Sequence, residues 1–515
     1  MLARSLIALM LISGAVSAQS LPRTTEGRPN LQGIWQVANR ASYNIEDHVA
    51  RHDMPAGRGV VDGGEIPYQA WALEQRNANF SARAAADPLS KCYLPGVPRM
   101  MYMEFPFHIF QTNDHVAITF EWQQVFRLIY ANGEPPMYPG IEAWMGHSRG
   151  RWEGDVFVVD VTDHNDSTWF DAAGNFHSDA MQLTERYTML DKDTIEYAVS
   201  IDDPEVFTRP WTMRMELHRQ TKMDRILEYQ CQAEVEEANG DFERDERVWY
   251  PAPIPDDNTP FDADAGSPLP QLSVPAEVSR MADGTPDISG YYMADAGGAN
   301  YGLEARERDF LMPASRGQVV DPPDGSLPYQ AWAREESIDR ALPHRGYDDP
   351  TAHCFVAGVP RSHYVPSPFF ILQPPGYVVV LHERMSWRQI PLDGRAHLPD
   401  KMRLWQGDSV GRWIDDTLVV ESKNFNGKAW LNEAGDVISH AQTVVETFTP
   451  TGADQVTYRA TVADPIAYTR PWTREMPFNR QNEELLEVAC LEDNGDLQHL
   501  KDVRDEYRAR QQEEN

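Results

Sequence analysis

The sequence predicts a mainly β protein made of two tandem, homologous antiparallel β-barrel domains with short helical caps. Three observations support this prediction: a long internal repeat, short segments of alternating hydrophobicity, and four cysteines at matching places in the repeat. The chain has 515 residues, of which 41% are hydrophobic and 10% aromatic. It is therefore long and apolar enough to build more than one core.

The internal repeat covers most of the chain. Residues 66–71 (IPYQAW) return as 327–332 (LPYQAW), and residues 92–99 (CYLPGVPR) return as 354–361 (CFVAGVPR). The matches keep one order and a nearly constant spacing, which is too long for a solenoid and suits two ordinary domains. The predicted organisation is copy one at 32–250, a Pro-rich linker at 251–286, copy two at 287–507 and a charged tail at 508–515.

The second half of each copy has the pattern of a β-meander. Residues 194–201 (TIEYAVSI) alternate apolar and other side chains, and residues 455–462 (QVTYRATV) repeat the pattern. Short alternating segments separated by turn residues indicate a sandwich or barrel. Residues 68–86 and 329–342 predict the helical caps. The strands predicted in copy one are 115–130, 151–161, 181–189, 194–201, 211–219 and 226–233.

The four cysteines allow three pairings. Cys92 matches Cys354, and Cys231 matches Cys490, so the repeat favours Cys92–Cys231 and Cys354–Cys490. Loops this long gain up to about 5 kcal/mol in the chain-entropy view of disulfides. The alternative, a cysteine-based metal site, has no CxxC or Cys/His cluster of zinc spacing to support it.

The first residues and the net charge indicate where the protein is located and which partners are excluded. Residues 1–18 have a positive residue at Arg4, an apolar run and small residues before Ala18, which predicts a secretory signal peptide. The formal charge of −33 argues against nucleic-acid partners and against docking on anionic membranes. We therefore expect a periplasmic or secreted protein whose partner is a small-molecule ligand or substrate.

Two resemblances follow from short motifs. Residues 32–35 (QGIW) resemble the Gly-x-Trp of the first lipocalin strand, where the Trp closes the barrel floor against a late Arg. That resemblance implies such a role for Trp35 with Arg209, Arg214 or Arg219; copy two has Gly-Tyr-Tyr at 290–292 instead.

The second resemblance covers most of both copies. Residues 146–163 (GHSRGRWEGDVFVVDVTD) and 407–425 (GDSVGRWIDDTLVVESKNF) are similar to a widespread group of secreted bacterial proteins with a GDSxGRW-type motif and no assigned activity. This resemblance implies a shared fold and carries over no catalytic residues.

Residues present in both copies suggest a ligand site or an internal ion pair. Glu121 and Arg127, matched by Glu383 and Arg388, fall on successive strand segments around the predicted interior. A buried Glu–Arg pair is either structural or grips a polar ligand group. Tryptophans that could line a cavity or stack on sugars or aromatic ligands are Trp122, Trp144 and Trp169.

Residues present only in copy one suggest acid–base chemistry. Histidines at loop positions near carboxylates could transfer protons, and loops at a barrel mouth commonly build sites. The alternative is a hydrogen-bonded turn network. Their spacing matches no metal motif, so neither a metal nor a cofactor is predicted. The candidates are His147, Asp163, His164, His177 and Asp179.

Three functions remain open from the sequence. The first is binding of a small apolar or aromatic ligand in a barrel cavity. The second is a cofactor-free isomerase, lyase or hydrolase at the histidine site of copy one. The third is carbohydrate binding through exposed tryptophans. The sequence does not decide between binding and catalysis.

Overall fold

The computed structural model describes residues 21–514 except 241–245, 267, 310–311, 385 and 493, so the predicted signal peptide lies outside the described residues. Two β-barrels account for most of the described chain, as the sequence predicts. None of the helices in these ranges is long and apolar enough to cross a membrane.

The first barrel is closed. Its strands are β1 (Gly33–Val37), β2 (Phe107–Gln111), β3 (His115–Phe120), β4 (Phe126–Tyr130), β5 (His147–Glu153), β6 (Val156–Thr162), β7 (Gln182–Asp191), β8 (Thr194–Asp202) and β9 (Trp211–Arg219). Neighbours pair antiparallel, β9 pairs back with β1, and only a single parallel bridge, Tyr130 to Arg149, joins β4 to β5. The predicted strand at 115–130 is thus two strands, because Gln123 and Gln124 take positive φ in the turn between them.

The second barrel is nearly closed. Its strands are β10 (Gly290–Ala294), β11 (Val319–Asp321), β12 (Phe369–Leu372), β13 (Tyr377–His382), β14 (Ser386–Pro391), β15 (Asp408–Ile414), β16 (Thr417–Lys423), β17 (Thr443–Gly452), β18 (Gln455–Ala463) and β19 (Trp472–Gln481). The sheet runs from β14 round to β15, and β11 pairs with β19 beside this path. No hydrogen-bonded pairing joins β14 to β15 among the described residues, which leaves a seam there.

The helices confirm the predicted caps and correct one strand. Helices α1 (Ala70–Ala86) and α3 (Ala331–Arg340) lie where the sequence predicts them. The strand predicted at 226–233 is wrong, because residues 226–230 form only an isolated parallel bridge, Tyr229 to Trp122, and α2 (Cys231–Asn239) begins after them. Helix α4 (Gly495–Glu514) includes most of the predicted tail.

The floor of the first barrel has the arrangement that the lipocalin resemblance implies. The Arg219 guanidinium lies 4.2 Å from the centre of the Trp35 ring and donates to the Gln32 carbonyl at 2.7 Å. Gly33 has a φ of 147°, and a Cβ there would lie 2.0 Å from Arg219 Nη1, so a larger residue would displace the guanidinium from the Trp35 ring. In the second barrel Arg480 donates to the Tyr292 hydroxyl at 3.1 Å.

Large side chains fill both barrels. Alternate residues of each strand point inward, so the interior is a packed core. Fully buried examples are Trp35, Phe107, Tyr187 and Tyr197 in the first barrel, and Tyr292, Phe369, Tyr458 and Trp472 in the second.

Both predicted disulfides are confirmed by the positions of the cysteines. Cys92 and Cys231 have Cα atoms 5.6 Å apart, and Cys354 and Cys490 have Cα atoms 5.7 Å apart. These separations are those of ordinary disulfides. Each bond ties the start of a copy to the segment that follows its last strand.

The segments that follow the last strands cross between the barrels. We call residues 224–230 strap one and residues 483–492 strap two. Glu228 of strap one accepts hydrogen bonds from the backbone of Trp405, at 2.6 Å, and Gln406. Glu487 of strap two accepts from the backbone of Trp144, at 2.7 Å, and Met145. Each copy therefore holds the loop before strand β5 or β15 of the other copy.

Candidate functional site

The same ion pair lies inside both barrels. Arg127 Nη1 donates to Glu185 Oε1 at 2.9 Å, and the Tyr197 hydroxyl donates to the same carboxylate at 2.6 Å. In the second barrel Arg388 Nη1 donates to Glu446 Oε1 at 2.9 Å. Because the pair recurs and is fully enclosed, its first role is to organise each core.

The prediction that Glu121 pairs with Arg127, and Glu383 with Arg388, is therefore wrong. Strand β3 ends at Phe120, so Glu121 falls in the following turn, where it accepts from the Leu227 backbone at 3.0 Å. Glu383 accepts from the Ser367 hydroxyl at 3.1 Å. The true partner of each arginine lies three strands further along the chain, on β7 or β17, a pairing that the sequence pattern does not reveal.

Two of the candidate histidines of copy one meet, but they are buried in the segment between β6 and β7. The rings of His164 and His177 lie 5.9 Å apart, and both side chains are buried. His177 Nε2 lies 2.7 Å from the Thr168 hydroxyl, whereas neither nitrogen of His164 has a partner of normal hydrogen-bond geometry among the described residues. Burial, then the nearby His177 and Arg127, lowers the pKa of His164 well below its usual value. It is therefore neutral and enclosed.

The other three candidates stay apart from this pair. His147 Nε2 lies 2.8 Å from the Ile141 carbonyl. Asp163 has a φ of 57° and accepts from the Thr162 hydroxyl. Asp179 is exposed. The convergence of histidines and carboxylates on one cleft, which would favour catalysis in copy one, is not formed by these residues.

The candidate tryptophans pack against other aromatic side chains instead of forming an exposed row. Trp122 stacks on Tyr229 with ring centres 5.2 Å apart. Trp144 meets Tyr93 edge-on at 5.7 Å. Trp169 is partly buried in a short bridge to Phe176. This arrangement gives the carbohydrate hypothesis no flat platform at the predicted positions.

The second barrel holds polar side chains where the first holds apolar ones. His363, His382 and Arg474 are buried inside it. The repeat aligns them with residues of copy one that are all apolar. The sequence analysis missed them because it considered only polar residues that are present in copy one and absent from copy two. The opposite comparison, polar residues of copy two that are apolar in copy one, would have found them. The aligned residues of copy one are Met101, Phe120 and Met213.

These side chains extend the ion pair of Arg388. His363 Nε2 lies 3.3 Å from Arg388 Nη1 and 3.5 Å from Glu446 Oε1. The His363 and His382 rings are 5.3 Å apart. Burial favours the neutral form of Glu446, but Arg388 and His363 outweigh it and lower the pKa to about 2. The network therefore carries a charged carboxylate and neutral histidines.

A cavity of about 60 Å³, which we call the mouth cavity, opens beside this network. Three of its lining residues are buried and each has one atom without a hydrogen-bond partner in the described chain: His382 Nε2, Ser362 Oγ and Gln230 Nε2. The Ser386 hydroxyl lies 3.4 Å from His382 Nδ1. Burial, then His363 and Arg388, lowers the pKa of His382 well below its usual value. The apolar wall consists of Phe355, Val356, Val365 and the Cys354–Cys490 disulfide.

Three further cavities touch the second copy, of which one is lined by Gln230, Cys354 and strap two. Another, of about 50 Å³, lies at the seam between β14 and β15, lined by Arg388 and Ser409 and by strap one. A groove of about 420 Å³ lies between strap one, α2 and the loop before β15. Of its lining cations, Lys428 pairs with Glu237 and lies 4.7 Å from the Trp249 ring, whereas Arg403 Nε has no hydrogen-bond partner in the described chain. The mouth cavity is distinguished by three unpaired buried side-chain atoms beside an apolar wall.

Comparison with known proteins adds little to these observations. No protein-family model matches the sequence, and no curated protein matches it. A solved structure of a DUF3598-family protein of unknown function from Nostoc punctiforme is 7% identical and covers 73% of this chain and 88% of its own, with a TM-score of 0.15. A similarity at that TM-score carries no functional argument. Nor do these comparisons support membership of the secreted bacterial group.

No metal site is evident in the part of the chain that the structure describes. Within those residues, no group of three or more histidine, cysteine or acidic side chains is placed to hold a metal ion.

Proposed function

We propose that this protein binds a small organic molecule in its second barrel, through the mouth cavity. The observation that carries the proposal is the presence of three unpaired, buried polar atoms around one cavity, on His382, Ser362 and Gln230. A buried donor or acceptor without a partner costs about 1–3 kcal/mol. A ligand that supplies the missing partners would recover that free energy on binding.

The lining limits what the ligand can be. Apolar walls with a few placed polar groups are typical of small-molecule sites. A volume of about 60 Å³ holds roughly four water-sized groups, by the usual minimum for one water. The ligand is therefore very small, or it places only its polar head in this cavity. Because His382 is neutral, it offers a hydrogen bond and no charge, which suits a hydroxyl or carbonyl group.

The comparison between copies supports assigning the activity to the second barrel. Copy one has Met100 and Phe120 where copy two has Ser362 and His382. The first barrel therefore lacks these polar atoms, and we assign it the role of a packed partner that supplies Gln230 to the cavity. The two disulfides favour an oxidising location, so the proposed place of action is the periplasm or the extracellular space.

The test begins with native mass spectrometry of protein purified from its own host, to detect a retained small molecule. Thermal unfolding is then recorded with a panel of small alcohols, ketones and phenols. A binding compound should raise the Tm of the wild type and of His164→Phe. His164→Phe is the control, because it is also a histidine-to-phenylalanine substitution but lies in copy one. His382→Phe, which installs the residue that copy one already has at this place, should fold and lose the shift.

The proposal fails if folded His382→Phe responds like the wild type to every compound that binds. It also fails if neither a retained molecule nor a compound-dependent shift is found for the wild type.

A further inference from the structure

Arg474 is a fully buried cation without a carboxylate partner. It lies on β19 on the inward face, with Trp472, Met476 and Phe478. No acidic side chain of the described chain lies within ion-pair distance of it, and its Nε and Nη1 have no hydrogen-bond partner there. Its Nη2 lies 3.1 Å from the Met476 sulfur, which is a weak acceptor.

An arginine in this position needs an explanation, because burying a charge without a partner costs several kcal/mol. Its guanidinium carbon lies 3.8 Å from the centre of the Tyr364 ring. A desolvated cation–π contact contributes about 2 kcal/mol, which offsets only part of that cost. The repeat aligns Arg474 with Met213, so the barrel itself does not require a cation here.

Arg474 differs from the other buried arginines inside the two copies. In copy two Arg361 pairs with Asp349 and Arg388 with Glu446, and burial, the largest effect in each case, lowers the pKa of His363 and of His382. In copy one Arg99 pairs with Asp87 and Arg127 with Glu185. Arg474 is therefore a buried cation that lacks an ion-pair partner among the described residues.

We propose that Arg474 binds the carboxylate of a small monocarboxylic acid with an apolar or aromatic body, held inside the second barrel. A carboxylate supplies one negative charge and accepts the unused N–H groups of the guanidinium in charge-assisted hydrogen bonds. The neighbours that would contact its body are apolar or aromatic: Tyr364, Trp472 and Met476. The residue paired with Arg474 across the sheet is the small Ala460, where copy one has Val199.

This inference goes beyond the proposed function, because Arg474 does not line the mouth cavity and the two sites use different chemistry. Either one can hold when the other fails. His382→Phe tests the mouth cavity, and variants at Arg474 test the carboxylate site.

The experiment uses the full chain after extensive dialysis against carboxylate-free buffer. The probes are acetate, propanoate and benzoate, with acetamide and benzamide as neutral counterparts and sodium chloride at equal ionic strength. Wild type, Arg474→Met and Arg412→Met are compared by thermal unfolding and calorimetry. Arg412 is exposed on the same barrel, so its variant controls for the loss of one positive charge. Arg474→Gln serves as a second variant.

At least one carboxylate should raise the Tm of the wild type and of Arg412→Met in a saturable way. Arg474→Met should weaken that binding at least about tenfold, as expected from the loss of a charge-assisted hydrogen bond. Without carboxylate, Arg474→Met should have a higher Tm than the wild type.

Three results would overturn the inference. They are the absence of any carboxylate-specific shift in the wild type, an equal shift with the amides or with chloride, and unchanged carboxylate binding in folded Arg474→Met or Arg474→Gln.

Discussion

Replacing His164 by Phe should stabilise the protein although it alters a fully buried residue. The repeat aligns His164 with Phe425, and both rings lie against a glycine in the same way. A Cβ built on Gly146 or on Gly407 would lie 2.8 Å from the nearest ring atom of its histidine or phenylalanine. The backbone of this site therefore already accepts a phenylalanine ring in copy two.

The expected magnitude follows from the unpaired nitrogens of His164. Removing a buried polar group without partners recovers about 1–3 kcal/mol. For a domain of roughly 150–250 residues, each kcal/mol corresponds to about 2–4 °C in Tm. His164→Ala is the opposite control: it removes the ring from the core and should destabilise the protein by a few kcal/mol through the cavity it leaves.

The pH dependence gives a second, independent readout. The folded-state pKa of His164 lies below its unfolded value, so the stability that its neutral form contributes is present above about pH 6.5 and is lost as the pH falls. The advantage of His164→Phe should therefore grow between pH 7 and pH 5. Urea unfolding followed by circular dichroism at both pH values measures this. A loss of stability at pH 7, or an advantage that stays constant down to pH 5, would refute the reasoning.

Three further predictions concern buried charges. Glu446→Gln leaves Arg388 uncompensated and should destabilise the protein by about 3–5 kcal/mol in urea unfolding. Glu185→Gln should cost less, because both buried arginines in the described part of copy one have carboxylate partners and no unpaired cation like Arg474 is present there; an equal or larger cost would contradict this reasoning. Burial raises the pKa of Glu487 to about 7, against the opposing effect of its backbone hydrogen bonds. The stability present at pH 5 should therefore fall as the pH rises through 7. Glu487→Gln should make that fall smaller in unfolding curves recorded from pH 5 to 8. Burial lowers the pKa of His108 to about 3, so the stability it contributes above pH 6.5 should be lost in acid, and His108→Gln should show a shallower loss between pH 6.5 and 4.

The repeat allowed much of the fold to be predicted. It aligned Cys92 with Cys354 and Cys231 with Cys490, which singled out the disulfide pairing from three possibilities. Alternating patterns located the long hairpins, because the period of two follows directly from strand geometry. Trp35 and one of its three candidate arginines, Arg219, form the barrel floor.

The failures share a different cause, which is contact with a part of the chain that is distant in sequence. Residues 226–233 have the sequence pattern of a strand. The apolar side chain of Ile226 is buried against the other copy, however, and strap one contributes no strand to either barrel. Glu185 and Glu446 stand at aligned positions of the repeat, but the pairing of Glu185 with Arg127 depends on the barrel closing around both. Sequence periodicity assigns faces to strands, and it does not report which strands face each other across a closed sheet.

The comparison between the copies carries the functional argument further than either copy alone. A residue that recurs, such as Arg127 with Arg388, is accounted for by the shared architecture. A buried polar residue that replaces an apolar one at an aligned position, as Arg474 replaces Met213, destabilises a barrel that folds without it. Residues that break the packing rules without a compensating partner are expected at functional sites. By this reasoning each copy holds such a residue. In copy one it is His164, whose site accepts the phenylalanine that copy two has there, and in copy two it is Arg474, in the same barrel as two histidines that each keep an unpaired nitrogen. The cluster of the second barrel includes a cation without a carboxylate partner, so that barrel is where we expect a ligand to supply the missing partners.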